Sequence, residues 1–280
     1  MPTRALVLGG GGLAGIAWEL GVLLALGDAG IDFTNADVVF GTSAGSVVGS
    51  VMRSADELTL AYEGQLSEEP DHEIGVDIDL MALATVFGEA LSGATDPEQA
   101  RAKIAAAALV AKTVPEERRI AVISERLPSH EWPDYPLRVT AIEAATGTFT
   151  VFDRDSGVPL VLAVAASCAV PVVWPPVTIN GAKYIDGGLR STTNADLAAG
   201  YDRVLVVAPF PPVASPLGPS LADELRPVEE SGQVFVVAPD EATAALFGIN
   251  PLDPSTRRPS ALAGREAGEA IVDQVKQLWV

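Results

Sequence analysis

The chain has 280 residues, 48% of them apolar, with 37 acidic against 18 basic side chains and a formal net charge of −19. That length and apolar content suit one large α/β domain or two small ones around a sizeable core. The charge excludes recognition of a nucleic acid backbone and steady electrostatic attachment to anionic lipid, and it fits the solubility charge of a cytoplasmic protein.

Ala5 to Leu8 is a short buried strand, followed by four glycines, Gly9 to Gly12. Leu13 to Asp28 reads as a helix that is apolar on nearly every face, which places it centrally. The glycines and Glu19 break the run from Ala5 to Leu26, so it is read as strand and helix rather than as a targeting segment. Asp37 to Phe40 is a second strand leading to Ser43. Residues 53–130 are more charged and alanine-rich, with helical patterns at Leu58–Leu66, Leu80–Leu91 and Pro97–Lys112, and are expected to form a helical insertion serving as rim or cap. Leu137–Glu143 and Thr148–Phe152 make one hairpin around Thr146-Gly147, and Val177–Ile179 and Ala182–Ile185 make another around Asn180-Gly181. Leu160–Ala169 between them reads as a helix. Arg203–Ala208 and Val234–Ala238 are further buried strands separated by a proline-rich loop, Pro209 to Pro219, and Ala261–Trp279 reads as an amphipathic helix. Strand and helix alternate, so the class is α/β.

Three motifs carry chemistry. Gly41-Thr42-Ser43-Ala44-Gly45 joins a strand to a helix with serine at the apex, a turn that presents a nucleophile beside the unpaired N–H groups of a helix start. The flanking glycines, Gly41 and Gly45, are where a Cβ would collide with neighbouring elements. Gly10-Gly11-Gly12-Leu13-Ala14-Gly15 also opens a helix after a strand. It fits the dinucleotide fingerprint, with Asp32 near the expected acidic position, and equally fits a loop that turns backbone N–H groups towards an oxyanion. Asp186-Gly187-Gly188 ends an apolar strand and reads either as a plain turn or as a carboxylate base with room for close approach.

A serine nucleophile usually borrows a histidine. His72 lies in the acidic run Glu68 to Glu73, read as a solvated face, and His130 lies in a loop. Neither is placed to serve Ser43, so Asp186 is the candidate base. The reference carboxyl pKa of about 3.9 is low for that task, and partial burial would raise it. Cys168, the single cysteine, forbids an intramolecular disulfide and reads as a small core residue. No metal-ligand cluster and no cofactor are expected.

Glycine loop, G-x-S-x-G and Asp-Gly-Gly occur together and in that order. The combination resembles the patatin-like phospholipase family from Ala5 to Ala199. Ala166-Ser167-Cys168-Ala169-Val170-Pro171, Trp174-Pro175-Pro176, Leu189-Arg190-Ser191 and Asn194-Ala195-Asp196 add to the likeness. The resemblance implies a three-layer α/β/α sandwich with a central mixed, mainly parallel sheet, residues 200–280 completing the same fold. It implies a serine hydrolase cleaving lipid or lipid-like acyl esters, with Ser43 as nucleophile and Asp186 as base. Gly10, Gly11, Gly12 and Ala44 are then the oxyanion donors, and Gly15, Gly41, Gly45, Gly187 and Gly188 the motif glycines. The partner is an acyl-ester substrate, met at a transient membrane or micelle surface, and nothing here speaks to oligomeric state. One departure stands out: the family's glycine loop usually carries Arg or Lys where this chain has Ala14. A catalytically weak lipid-binding protein and a nucleotide-binding α/β protein are the competing readings.

Overall fold

The computed structural model describes residues 1–67, 73–76, 78–210 and 215–279. In chain order the elements are β1 (Arg4–Leu8), α1 (Gly12–Asp28), β2 (Val38–Gly41), α2 (Ala44–Val51), α3 (Ala55–Leu66), α4 (Leu80–Ser92), α5 (Pro97–Val110) and α6 (Glu116–Arg126). There follow β3 (Leu137–Glu143), β4 (Phe149–Phe152), α7 (Leu160–Ser167), β5 (Val177–Ile179), β6 (Ala182–Asp186) and β7 (Arg203–Val207). The chain continues through α8 (Leu221–Ser231), β8 (Gln233–Val237), α9 (Glu241–Leu246), α10 (Arg257–Ala270) and α11 (Val272–Trp279).

One sheet of 8 strands runs β5-β6-β3-β2-β1-β7-β8, with β4 also on β3. β2, β1, β7 and β8 are parallel, as are β2 and β3, while β4, β5 and β6 join antiparallel. The faces separate with the period of 2 that a strand imposes. Leu6, Leu8, Val39, Leu205 and Val207 face a core shared with α1, α2 and α7. Ala5, Val7, Val38, Phe40, Val204 and Val206 face Val228 of α8 and the short 3-10 helix Ala195–Ala198. On that second side Ile142 and Ile185 pack against Ile104 and Ala105 of α5. Helices therefore cover both faces of a mixed sheet.

The register on β3 places the site. Val139 pairs with Phe152 of β4 and also with Gly41 of β2, while Ala141 pairs with Thr150 of β4 and also with Asp186 of β6. Since β4 fills one edge, β2 and β6 share the other and meet end to end. Their last residues face β3 positions separated only by Thr140.

Three expectations need correction. Residues 115 to 127 contain a full helix, α6, whose few apolar residues, Ile120, Val122 and Ile123, left no strong periodic signal. The stretch between β7 and β8 carries α8 after the proline-rich loop, with Pro227 inside the helix. The single C-terminal helix is two, α10 and α11, divided at Ile271 (φ −114°, ψ 7°). Residues 211–214 of the proline-rich loop lie outside the described residues.

Candidate active site

The Ser43 turn is tight for steric reasons. Ser43 has φ 51° and ψ −112°, a conformation rare for a residue with a side chain. A Cβ on Gly41 would lie 2.7 Å from the Gly45 carbonyl oxygen, and one on Gly45 would run into the Leu8 carbonyl. Hydrogen bonds hold the strained residue on both sides. Its N–H donates to Ser167 Oγ at 2.8 Å. Its carbonyl accepts from Ser46 Oγ at 2.6 Å and from Cys168 Sγ at 3.4 Å. Burial pushes the Cys168 thiol up to about 11, as befits a core residue.

Asp186 ends β6, its N–H donating to the Ala169 carbonyl at 3.0 Å. Its Oδ1 accepts the Gly188 N–H at 2.7 Å, and the Ser43 hydroxyl lies near enough to influence the carboxyl group. The Asp186 side chain is buried, which pushes its pKa up to about 7; the Gly188 hydrogen bond and the nearby Ser43 hydroxyl pull the other way and only moderate the rise. Both glycines after it are required by space. A Cβ on Gly187 would strike the Thr140 hydroxyl, and one on Gly188 would come within 2.9 Å of Asp186 Oδ1. Thr140 Oγ1 in turn bonds Thr42 Oγ1 at 2.8 Å, and Asn194 Nδ2 donates to Thr42 Oγ1 at 3.1 Å. Buried polar side chains thus lock the two turns together.

The glycine loop corrects one assignment. The Gly10 N–H donates to the Thr192 carbonyl at 2.7 Å, so Gly10 lines the site without a free donor. The N–H groups of Gly11, Gly12 and Ala44 have no partner among the described residues. Gly12 has φ 64°, and a Cβ on Gly11 would sit 2.5 Å from the Gly15 Cα. A Cβ on Gly15 would press on Ala44 at 3.4 Å. Ala14 is fully buried, so this position faces the core and not the site. Asp32 caps a short 3-10 helix, accepting from Thr34 N–H at 2.9 Å, and does not close a strand as a ribose-binding carboxylate would.

Ser43 and Asp186 open on a cavity of about 600 Å³ lined by Ile78, Phe87, Leu189, Phe210, Leu217 and Leu252 among others. The lining is mostly apolar, with the polar groups concentrated at the two turns. No histidine among the described residues lines it. His130 is exposed and bonded to Ser124 Oγ at 3.0 Å, and His72 lies outside the described residues. The described residues hold no cluster of His, Cys, Asp and Glu fit for a metal ion. Of the acidic run, residues 68–72 lie outside the described residues; Glu73, expected on a solvated face, is instead buried between Arg119 and Arg126. Charged helices hide such a pair from a reading of local pattern.

Residues 6–199 match the family described as patatin-like phospholipase. The chain belongs to the patatin-like phospholipase family. It is therefore a member of a family of lipid acyl hydrolases, and the three motifs that first suggested the likeness all fall inside the matched span. Among solved structures, this patatin-like chain is similar to VipD from Legionella pneumophila, with a TM-score of 0.46 and 14% identity over 98% of this chain and 67% of VipD. It is also similar to the type III effector protein ExoU, with a TM-score of 0.42 and 16% identity over 98% of this chain. The chain spans about half the length of ExoU, 53%. No curated protein matches it. Among the described residues, no helix of this patatin-like domain is long and apolar enough to cross a membrane.

Proposed function

We propose that the chain hydrolyses acyl esters through a Ser43–Asp186 dyad. One observation carries the reading: Ser43 and the buried Asp186 open on the same apolar cavity, and burial raises the Asp186 pKa to about 7, with the Ser43 hydroxyl near enough to moderate the rise. A carboxylate so tuned is a competent base near neutral pH, where an ordinary aspartate is a weak one. Ser43 Oγ attacks the acyl carbonyl carbon while Asp186 accepts its proton. The N–H groups of Gly11, Gly12 and Ala44 stabilise the oxyanion, each such donor being worth about 3–4 kcal/mol in a comparable site. Collapse of the intermediate expels the alcohol, which takes the proton from Asp186. Water, deprotonated by the same carboxylate, then releases the fatty acid from the acyl-serine.

The apolar chamber suits an acyl chain. Exposed apolar side chains close in sequence to its lining residues suit transient contact with a membrane or micelle. Met81, three residues after Ile78, is 78% exposed, and Ile249, two before Pro251, is 82% exposed. A fluorophosphonate probe tests the proposal directly. The wild-type protein should be labelled and should turn over a p-nitrophenyl ester, and Ser43→Ala should do neither while keeping its fold. Wild-type turnover by Ser43→Ala would end the reading.

A further inference from the structure

A second, much smaller cavity shares Gly12, Ser43, Val170 and Leu252 with the main chamber. Its volume is about 20 Å³, room for a single water. Arg119 and Arg126 of α6 line it, with Glu73, Trp174 and Cys168. The Arg119 guanidinium lies 3.9 Å above the Trp174 ring and is 4% exposed as a residue. Its Nε and Nη1 have no hydrogen-bond partner among the described residues, and neither has Trp174 Nε1. An ion pair at 3.8 Å is all that joins Arg119 Nη1 to Glu73 Oε2, while Arg126 closes on Glu73 Oε1. Burial lowers the Arg119 pKa only to about 10, so the group stays charged at neutral pH.

Guanidinium and indole nitrogens donate and do not accept. Buried donors left without acceptors are costly, so this wall calls for an acceptor-rich ligand. A planar fork held against a ring suits an oxyanion. Among the residues lining this cavity, two cations face one carboxylate, Glu73, in a chain of net charge −19. The glycine loop brings no cation to Ser43, since Ala14 is buried there. Helix α6 brings two from a different direction.

We propose that Arg119, Arg126 and Trp174 form an oxyanion-binding subsite beside the nucleophile. Its ligand is the phosphate of the substrate's head group, and its internal occupant is the Glu73 carboxylate, which the phosphate displaces. The proposal rests on the acyl-hydrolase reading for what the phosphate is attached to, but not for the binding itself.

Binding is therefore measured in Ser43→Ala protein by titration calorimetry with hexyl phosphate, hexanoate and hexanol. Hexyl phosphate should bind more tightly than hexanol by at least tenfold, the scale of one charge-assisted hydrogen bond. Adding Glu73→Gln should tighten hexyl phosphate about tenfold, and adding Arg119→Met should weaken it by a similar factor. Arg126→Gln, at a more exposed position, gives the same reading if Arg119→Met does not fold. Equal binding of hexyl phosphate and hexanol in every form would overturn the subsite and leave the trio as a tie for the Glu73 segment. Tighter binding of hexanoate than of hexyl phosphate would overturn the phosphate assignment. With active protein, Glu73→Gln should raise the ratio of phospholipid to neutral-ester kcat/KM. Loss of all turnover in the wild type, with hexyl phosphate still bound, would remove the hydrolase reading and keep the subsite.

Discussion

Ser167 Oγ accepts the Ser43 N–H at 2.8 Å, tying the backbone of the strained Ser43 to the end of α7. Ser43 sits at positive φ, so this bond helps hold a conformation that the residue would otherwise leave. Ser167→Ala strands a buried N–H, costing about 1–3 kcal/mol. We expect lower unfolding free energy and a fall in kcat of roughly tenfold with little change in KM, because the serine is mispositioned rather than removed. Denaturant titration and steady-state kinetics on one ester check both, and an unchanged kcat would show that the turn holds itself.

Asp186 should set the pH profile. Only its ionised form accepts a proton, so kcat/KM should rise with pH through about 7. Asp186→Asn should lower turnover by about 10² to 10⁴ and lose that limb. Stability runs the opposite way. A carboxyl whose folded pKa lies above its unfolded value contributes fully below the unfolded pKa near 3.9, and that contribution is lost as pH rises through 7. Asp186→Asn should therefore be more stable than wild type at pH 8, by up to ~4 kcal/mol, and close to it at pH 4. Denaturant melts at both pH values decide the sign.

Glu19 offers a separate test away from the site. It is fully buried on α1 with no well-formed hydrogen bond to either carboxyl oxygen among the described residues, and burial raises its pKa well above the ordinary value, the nearby Gly9 N–H only moderating the rise. The folded chain holds it neutral, whereas the unfolded chain ionises it above a pKa of about 4.3. Stability is again lost as pH rises, by about 1.4 kcal/mol per unit for one group until its folded pKa is reached. Glu19→Gln should flatten the fall of unfolding free energy between pH 5 and pH 8. Parallel curves for the two proteins would mean that Glu19 is ionised inside.

The rim residues separate interfacial action from chemistry. Replacing Met81 and Ile249 together by serine removes exposed apolar surface a few residues along the chain from the lining residues Ile78 and Pro251. Turnover of esters in mixed micelles should fall several-fold relative to turnover of a monomeric short-chain ester. A constant ratio, measured across the micellar threshold of one substrate, would place surface recognition elsewhere.

The motifs were legible because their constraints are local. Gly41, Gly45, Gly187 and Gly188 are demanded by atoms that crowd them, and Asn180-Gly181 turns at φ 50° and 84° as its chemistry suggests. What escaped depends on long-range partners. Gly10 looks like its neighbours, yet Thr192, far along the chain, takes its N–H. Glu73 reads as part of an acidic surface until α6 packs two arginines against it. That helix was itself missed because its charged residues outnumber its apolar ones, and α8 was hidden behind prolines and Pro227.

The end-to-end meeting of β2 and β6 on β3 also bears on biosynthesis. The serine turn lies between β2 and α2, early in the chain, whereas bonds that hold it come from Ser167 and Cys168 and the carboxylate of the proposed dyad is the last residue of β6. A nascent chain still on the ribosome, with Asp186 not yet emerged, carries a serine with no proton acceptor. By the proposed dyad it should be inert towards acyl esters, however well its first half has folded. On the proposed dyad, hydrolysis should switch on only with the pairing of Ala141 and Asp186, which would make activity a late reporter of folding.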